Sequence, residues 1–391
     1  MMGLEEKCSQ GQLIIKDDFS SERSVCPINT SYGVGYRIKA RVLPYLIGFI
    51  YLVPTVDSEW IMIDSGGGSE ESNTDLENGF RIIREEFDRS FKPEKISRLC
   101  LTHAHVDHFG GVSEFKRRTN AKIAVHAFES RLVDSYDEVA RVENCRYVNF
   151  LLESGVPFDS IKSILDGFGF RAGRVQSVTV DEPLYGGETI DSLKSVYLPG
   201  HSSGHLAFVC ENVIFSGDLL LSKTLSQIWP ARMTPQTGIL NYVRSLLKLK
   251  QIAIDYELLN GQKLIAFPAH EEPIFDIPSR VDKALRGMER RNNRLLKLFS
   301  EETAPMTLWE ILPKMYWSGR PNREFFALSD IGSRVELFLQ LNLLRVADSE
   351  RLSRSNPAIR YQLSFANAEA AKNTIKQVVR MCLSGDKSNL I

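Results

Sequence analysis

The ten residues Thr102–Gly111 constrain the fold of this chain more than any other segment. They spell THAHVDHFGG and place three histidines and one aspartate within six positions. An apolar run that predicts a buried strand, Ile96–Leu101, comes directly before them. The whole chain has only seven histidines, so chance does not explain this density. Imidazole and carboxylate groups at such spacing are typical of a metal site.

The geometry of a strand exit explains how one loop could serve two metals. If the chain leaves the strand still extended, His103 and His105 project to the same side, because side chains alternate along an extended backbone. Asp107 and His108 follow where the chain turns into the next predicted helix. They therefore point to a neighbouring position about 4 Å away, which is the separation of a two-metal site.

Further candidate ligands stand at the ends of other predicted strands. They are His201, His205, Asp218 and His270. In a layered α/β protein, strand ends on one edge of a sheet converge on a crevice in which ligands and metals bind. A single histidine would usually be structural, but the joint pattern predicts that these residues meet the first loop in one pocket.

The order of predicted elements indicates an α/β protein followed by a helical region. Residues 1–32 lack periodicity and predict a loosely ordered arm. Short β-rich runs alternate with helices over residues 33–278, which predicts layers of helix and sheet, with an aromatic-rich helical insert at 127–173. This insert either caps a pocket or packs onto the sheet. Residues 279–391 follow the order helix, helix, helix, hairpin, helix, which predicts a winged-helix-like domain.

Composition narrows the class of protein and its compartment. Hydrophobic residues make up 43% of the 391 residues and charged residues 25%, which is ordinary for a globular protein and excludes disorder as the main state. The longest apolar stretch, Val42–Val53, is too short to span a bilayer. Six scattered cysteines and an acidic N-terminus without a signal pattern predict a cytoplasmic protein with reduced thiols.

Taken together, HxHxDH, GHxxGH, GD and a final histidine after a strand resemble the metallo-β-lactamase superfamily, over about Tyr36–Pro273. The resemblance implies an αββα metallo-β-lactamase sandwich with the metals at one edge, here with a C-terminal winged-helix domain. The most similar branch is the glyoxalase II-like and lactonase-like subgroup with a winged-helix extension. The resemblance implies seven metal ligands: His103, His105 and His201 on one ion, Asp107, His108 and His270 on the other, and Asp218 bridging both.

Two further residues match supporting positions of the family pattern. Asp64, at the end of the predicted strand Trp60–Ile63, corresponds to an aspartate that holds the ligand loop from behind. His205 either supports the site in the same way or stabilises its own turn. Ligands of nitrogen and oxygen without a thiolate suit two Zn²⁺ ions, with Fe or Mn as alternatives.

The resemblance implies a hydrolase that uses a metal-bound hydroxide on a thioester, ester or lactone, with Asp107 as the catalytic proton acceptor. The expected partner is a small-molecule acyl substrate, and no membrane partner is expected. The sequence leaves open whether the protein forms a homodimer. Two alternatives stay open as well, a single-strand RNA endonuclease and a non-catalytic metal-binding regulator. A nucleic-acid partner is the less favoured reading. The predicted recognition helix Ser329–Asn342 is largely acidic or apolar, and Glu271 and Glu272 beside His270 would repel a polyanion.

Overall fold

Two β-sheets form the centre of the molecule. The computed structural model describes residues 23–168, 175–316, 323–347, 357–364 and 374–384. The first sheet contains seven strands in chain order: β1 (Val25–Thr30), β2 (Gly33–Leu43), β3 (Leu46–Pro54), β4 (Trp60–Ile63), β5 (Ile96–Cys100), β6 (Lys122–His126) and β7 (Glu182–Leu184). The second contains five strands: β8 (Thr189–Ile190), β9 (Leu193–Tyr197), β10 (Leu206–Cys210), β11 (Val213–Gly217) and β12 (Ile265–Pro268).

The direction of the strands brings several chain exits to one edge. Strands β4 to β7 run parallel, so the segments after β4 and β5 leave the first sheet on the same side. In the second sheet β11 and β12 are parallel, and β9 shares their direction because β10 is antiparallel to both β9 and β11. The segments after β9, β11 and β12 therefore also leave together. These five exits carry all the site residues predicted from the sequence.

Helices cover the outer faces of both sheets. They are α1 (Glu70–Ile82), α2 (Val106–Phe109), α3 (Val112–Arg118), α4 (Ser130–Asp134), α5 (Tyr136–Glu153), α6 (Phe158–Phe168), α7 (Ile239–Asn260), α8 (Ile277–Glu301), α9 (Leu308–Met315), α10 (Glu324–Gln340) and α11 (Thr374–Ser384). Between the sheets, the Tyr51 ring lies 4.8 Å from the Phe215 ring and 6.0 Å from the Phe267 ring. One buried cluster joins the first sheet to α1, α3 and α5, and another joins the second sheet to α7, α8 and α10. The expected αββα order is confirmed.

The prediction of a loosely ordered arm is wrong for its last part. Residues 25–30 form β1, which pairs antiparallel with β2 in register Val25 with Ile38. Val25 and Ile28 are buried against the sheet, and this partner strand, not the local sequence VCPINT, stabilises the extended conformation. Residues 1–22 of the predicted arm lie outside the described ranges.

Two local predictions also differ from the structure. The sequence Ser177–Val180 predicts a strand, but the segment forms none, because Val180 N donates at 2.6 Å to Asp134 Oδ1 and the sheet is joined only from Glu182 onward. Apolar periodicity over Asn78–Phe91 predicts a helix from Asn78, but the helix begins at Glu70, where the Ser69 side chain caps it by accepting from Ser72 N. The first turns of this helix are polar, so apolar periodicity did not reveal them.

The C-terminal region packs on the hydrolase-like part through a shared core. It contains α8, α9, α10, the antiparallel pair β13 (Leu344–Val346) and β14 (Tyr361–Leu363), and α11. The sequence Thr307–Tyr316 predicts a helix with Thr307 as its N-cap, and a capping box with Glu310 confirms this cap. Residues 317–322, 348–356, 365–373 and 385–391 of the predicted winged-helix domain lie outside the described ranges, as do 169–173 of the insert, so those domain limits stay predictions. Every helix in the described ranges falls short of what a bilayer crossing requires.

Candidate metal centre

The structure brings all nine predicted site residues to the edge where the five exits meet. Asp64 follows β4, and His103 and His105 lie in the extended segment between β5 and α2. The short helix α2 carries Asp107 and His108, as the sequence predicted. The others come from the second sheet: His201 and His205 between β9 and β10, Asp218 directly after β11, and His270 two residues after β12.

Three imidazoles converge in what we call the histidine group, His103, His105 and His201. His103 Nε2 lies 2.9 Å from His105 Nδ1 and 3.2 Å from His201 Nε2, and His201 Nε2 lies 3.0 Å from His105 Nδ1. The three nitrogens thus form a nearly equilateral triangle. Such a triangle presents three ring nitrogens to one point, which suits one cation better than it suits mutual hydrogen bonding.

Two carboxylates and two imidazoles form a neighbouring set, the mixed group, made of Asp107, His108, Asp218 and His270. Asp107 Oδ2 lies 3.6 Å from His108 Nε2 and 3.4 Å from His270 Nε2. Asp218 Oδ1 lies 3.5 Å from His270 Nε2, and Asp218 Oδ2 lies 3.7 Å from His108 Nε2. Asp218 Oδ2 is also 3.6 Å from His201 Nε2, so the Asp218 carboxylate lies between the two groups, where a bridging ligand would be.

Hydrogen bonds on the far side of three imidazoles orient their inner nitrogens. The Nδ1 atoms of His201 and His270 donate to backbone carbonyls, at 2.9 Å to Gln227 O and at 2.7 Å to Ile47 O. His108 Nδ1 donates at 2.8 Å to Asp64 Oδ2. Each ring therefore directs Nε2 into the site, which is the arrangement that metal-binding histidines adopt.

Asp64 connects both groups. Its carboxylate accepts from His108 Nδ1 and also from Thr102, at 2.7 Å from the backbone N–H and 2.8 Å from the hydroxyl. The Thr102 hydroxyl oxygen in turn lies 3.1 Å from His103 Nδ1 and accepts from it. The backbone of Asp64 is left-handed, with φ 61°, and this turn directs the buried side chain behind the ligand loop. Asp64 thus orients one imidazole of each group.

His205 holds the backbone of a neighbouring residue. Its Nε2 accepts from Asp218 N at 3.1 Å, and its ring is fully buried. The contact fixes the backbone from which the bridging carboxylate projects. Of the two roles left open for His205, support of the site fits this position.

Glu129 is a residue of the site that the sequence analysis missed. Its Oε2 accepts from Ala104 N at 2.5 Å, between His103 and His105, and its Oε1 accepts from Gly204 N at 2.7 Å. A β-carbon at Gly204 would lie 2.9 Å from Glu129 Cγ, so glycine permits this close approach. The buried carboxylate therefore ties the loop of His103 and His105 to the loop of His201.

The electrostatics of the two groups differ. Burial lowers the pKa of each imidazole in the histidine group, to about 3 for His105, so these rings are neutral. In the mixed group burial also opposes charge, but the carboxylates of Asp218 and Asp107 outweigh it and raise the pKa of His270 to about 9. His108, facing the same carboxylates, has its pKa raised as well. The cationic imidazoles in turn hold the pKa of Asp107 and Asp218 below the usual range.

The residues present fit a pair of divalent cations. His108 Nε2, His270 Nε2 and Asp218 Oδ1 are buried without a hydrogen-bond partner, which a native protein rarely tolerates unless an ion or water completes the site. Ligand atoms about 2.0–2.2 Å from a tetrahedral ion would lie about 3.4 Å apart, close to the distances within both groups. The donors are nitrogen and oxygen only, which suits zinc, iron or manganese.

A cavity of about 900 Å³ opens over both groups. Most of its lining is apolar and comes from four sources: the β2–β3 hairpin, the helical insert, the loop after β11, and α10. Of the two acids beside His270, Glu272 is ion-paired, whereas Glu271 keeps its charge but is held by hydrogen bonds from uncharged groups. The Glu271 carboxylate accepts from Thr224 and other groups of the loop 222–224, and Glu272 pairs with the buried Arg37 at 3.3 Å.

Comparisons with known proteins place this arrangement in a family. The description "Metallo-beta-lactamase superfamily" matches residues 43–261, more than half of the chain. The chain is 22% identical to a probable metallo-hydrolase, YqjP, of Bacillus subtilis, over 75% of this chain and 89% of that protein. It is 29% identical to the human acyl-coenzyme A thioesterase MBLAC2, over 42% of this chain and 55% of that protein.

A solved structure shows the same fold. The metallo-beta-lactamase family protein TTHA1429 of Thermus thermophilus superposes with a TM-score of 0.66 at 21% identity, covering 84% of this chain and 98% of that one. The αββα layers, the two groups at one sheet edge and the matched family region agree. This chain therefore belongs to the metallo-β-lactamase superfamily, and it is a hydrolase-type member with a candidate metal site.

Proposed function

We propose that this protein is a dinuclear metal hydrolase that cleaves a thioester, or a related ester or lactone. The observation that carries the proposal is the placement of the two groups, side by side around Asp218, at the base of a largely apolar cavity. An apolar cavity suits the acyl part of such a substrate. The acyl-coenzyme A thioesterase among the relatives supports a thioester as the first substrate to test.

Each residue of the two groups would have a separate role in hydrolysis. Two Zn²⁺ ions, when bound, would supply hydroxide from water, whose pKa falls to about 7 on a metal, and would polarise the acyl carbonyl. His103, His105 and His201 would hold one ion, Asp107, His108 and His270 the other, and Asp218 both. Asp107 Oδ2 faces His108 and His270, which leaves Oδ1 to accept the proton released as the nucleophile forms.

The RNA endonuclease alternative has less support. Arg334 is a basic residue of the predicted recognition helix Ser329–Asn342, but it is buried and donates at 2.8 Å to Asp330 Oδ1. The arginines that line the cavity, Arg131 and Arg146, pair with glutamates of the insert at 2.9 and 2.6 Å. A polyanion would need unpaired cations in this cavity.

The test is metal removal and reloading. Thioester turnover, followed as thiol release, should vanish after chelation and return with Zn²⁺, and His103→Ala should abolish both turnover and tight metal binding. His126→Ala is the matched control, because His126 is the one histidine of the chain outside the site and stacks on Tyr197 at 4.3 Å. Turnover that is indifferent to chelation, or cleavage of RNA without cleavage of any thioester, would overturn the proposal.

A further inference from the structure

We infer that the acyl group of the substrate is a long or bulky apolar chain, and that Phe326, from the C-terminal helix α10, packs against the distal part of that chain. The inference rests on the proposed thioester or ester hydrolysis and specifies its substrate class. A short polar acyl group, such as a hydroxyacyl, would leave most of a 900 Å³ cavity filled with water.

The apolar wall begins next to the metal centre. The Trp229 ring meets the ring of His105 edge-on, with centroids 6.3 Å apart. Beside His270, Leu43, Leu46 and Ile47 of the β2–β3 hairpin line the same cavity, and His270 Nδ1 donates to Ile47 O. An acyl carbonyl at the ions would therefore direct its chain between two apolar walls.

Phe326 forms the distal part of the same wall. Its ring lies 5.8 Å from the Trp229 ring, so only one aromatic side chain separates it from a histidine of the site. The Gln227 side-chain amide donates at 3.1 Å to Phe326 O, which joins α10 to the loop after β11. Gln227 O also accepts from His201. One loop thus links a histidine of the site to the end of the cavity.

The charged side chains that line the cavity are engaged by other groups of the protein. Arg131 and Glu138 form an ion pair that is exposed to solvent, and Arg146 pairs with Glu143 on the same insert. Glu129 is engaged by the two backbone N–H groups described above. Glu271 also lines the cavity and accepts hydrogen bonds from the loop 222–224, so each of these charged side chains has partners of its own in the protein.

The test is a series of acyl thioesters with one common leaving group: acetyl, lactoyl, butyryl, hexanoyl, octanoyl, decanoyl and lauroyl. We expect kcat/KM to rise by about fourfold for each methylene that enters the cavity and then to level off. Phe326→Ala should lower kcat/KM for the octanoyl and decanoyl substrates by about tenfold and leave acetyl unchanged. Phe326→Trp should move the optimum to shorter chains. Phe275→Ala is the matched control, since Phe275 has similar exposure and lies outside the cavity lining.

Binding of the free carboxylates, octanoate and decanoate, measured by calorimetry, separates this inference from the proposed function. Hydrolysis that favours lactoyl or is flat along the series overturns the inference and leaves the proposed function standing. No hydrolysis of any thioester, with binding that strengthens with chain length and weakens in Phe326→Ala, overturns the thioesterase proposal but supports the apolar cavity. Absence of both overturns both.

Discussion

Replacing Glu129 with glutamine tests whether the tie between two loops positions the metal ligands. The carboxylate accepts from Ala104 N on one loop and from Gly204 N on the other. A glutamine of the same shape offers only one accepting atom, so it can satisfy one N–H while its own amide N–H faces the other. One loop must then shift or leave a buried N–H unpaired.

The expected loss of stability in Glu129→Gln follows from two opposing effects. A hydrogen bond to a charged acceptor contributes about 1.5–3 kcal/mol, and an unpaired buried N–H costs about 1–3 kcal/mol. In the other direction, burial raises the pKa of Glu129, so burying the neutral amide is less costly than burying the carboxylate. The free energy of unfolding should therefore fall by about 2 kcal/mol. Metal affinity at the histidine group should fall about 10–100-fold, as for other residues that orient ligands.

The assay is a stepwise metal titration by calorimetry against a competing chelator, together with urea unfolding of the metal-free protein. We expect the weaker affinity at only one of the two steps, because Glu129 contacts the loops of the histidine group and makes no hydrogen bond to the mixed group. Glu143→Gln is the matched control, since Glu143 also lines the cavity but pairs with Arg146 on its own helix.

The reasoning is refuted if Glu129→Gln unfolds at lower urea yet binds both ions as tightly as the wild type. Glu129 would then stabilise the fold without positioning any ligand. Equal weakening at both steps would also contradict it, since the hydrogen bonds are confined to the loops of the histidine group.

Three further predictions follow from the same contacts. Asp64→Asn should lower the affinity for both ions by about 10–100-fold, measured by the same titration, because Asp64 orients an imidazole of each group; loss at one step alone would contradict this. The metal-free protein should be most stable near pH 6.5 in urea titrations. As the pH falls below 6.5, His105 takes up a proton in the unfolded state but stays neutral in the folded state, where its pKa is about 3, so the folded state loses stability. As the pH rises above 6.5, His270 loses its proton in the unfolded state but keeps it in the folded state, where its pKa is about 9, and stability falls again. A stability that rises steadily from pH 6.5 to 9 would refute this assignment. Arg334→Met should lower the free energy of unfolding by about 3 kcal/mol, because it removes the 2.8 Å ion pair of the buried Asp330 and leaves only Arg291 at 3.5 Å as its cationic partner; an unchanged urea midpoint would contradict this.

The metal centre was largely predictable because its residues come directly after predicted strands. Short β-rich runs predicted β5, β11 and β12, and the exits of such strands meet at a sheet edge. The positions of the HxHxDH side chains follow from the geometry of a strand that turns into a helix. Local sequence patterns were therefore enough to predict that His103 and His270, 167 positions apart in the printed sequence, lie in one pocket.

The supporting residues were not predictable in the same way. Glu129 stands in the turn between β6 and α4, outside any of the motifs, and its partners Ala104 and Gly204 lie 25 and 75 positions away. Phe326 meets Gln227 across 99 positions. No periodicity or spacing marks such contacts, because they depend on how separate layers pack after each has formed. Strand β1 was missed for a similar reason, since its partner β2 and not its own sequence decides its conformation.

The position of Asp64 has a consequence for how the protein would acquire its ions. The Asp64 carboxylate orients His108 directly and His103 through the Thr102 hydroxyl. An ion bound at either group would therefore immobilise Asp64, which also orients a ligand of the other group. Because linkage is reciprocal, each ion would then ease the entry of its neighbour by the same factor. In a stepwise titration, the second ion would then bind more tightly than it would to a chain whose other site is empty.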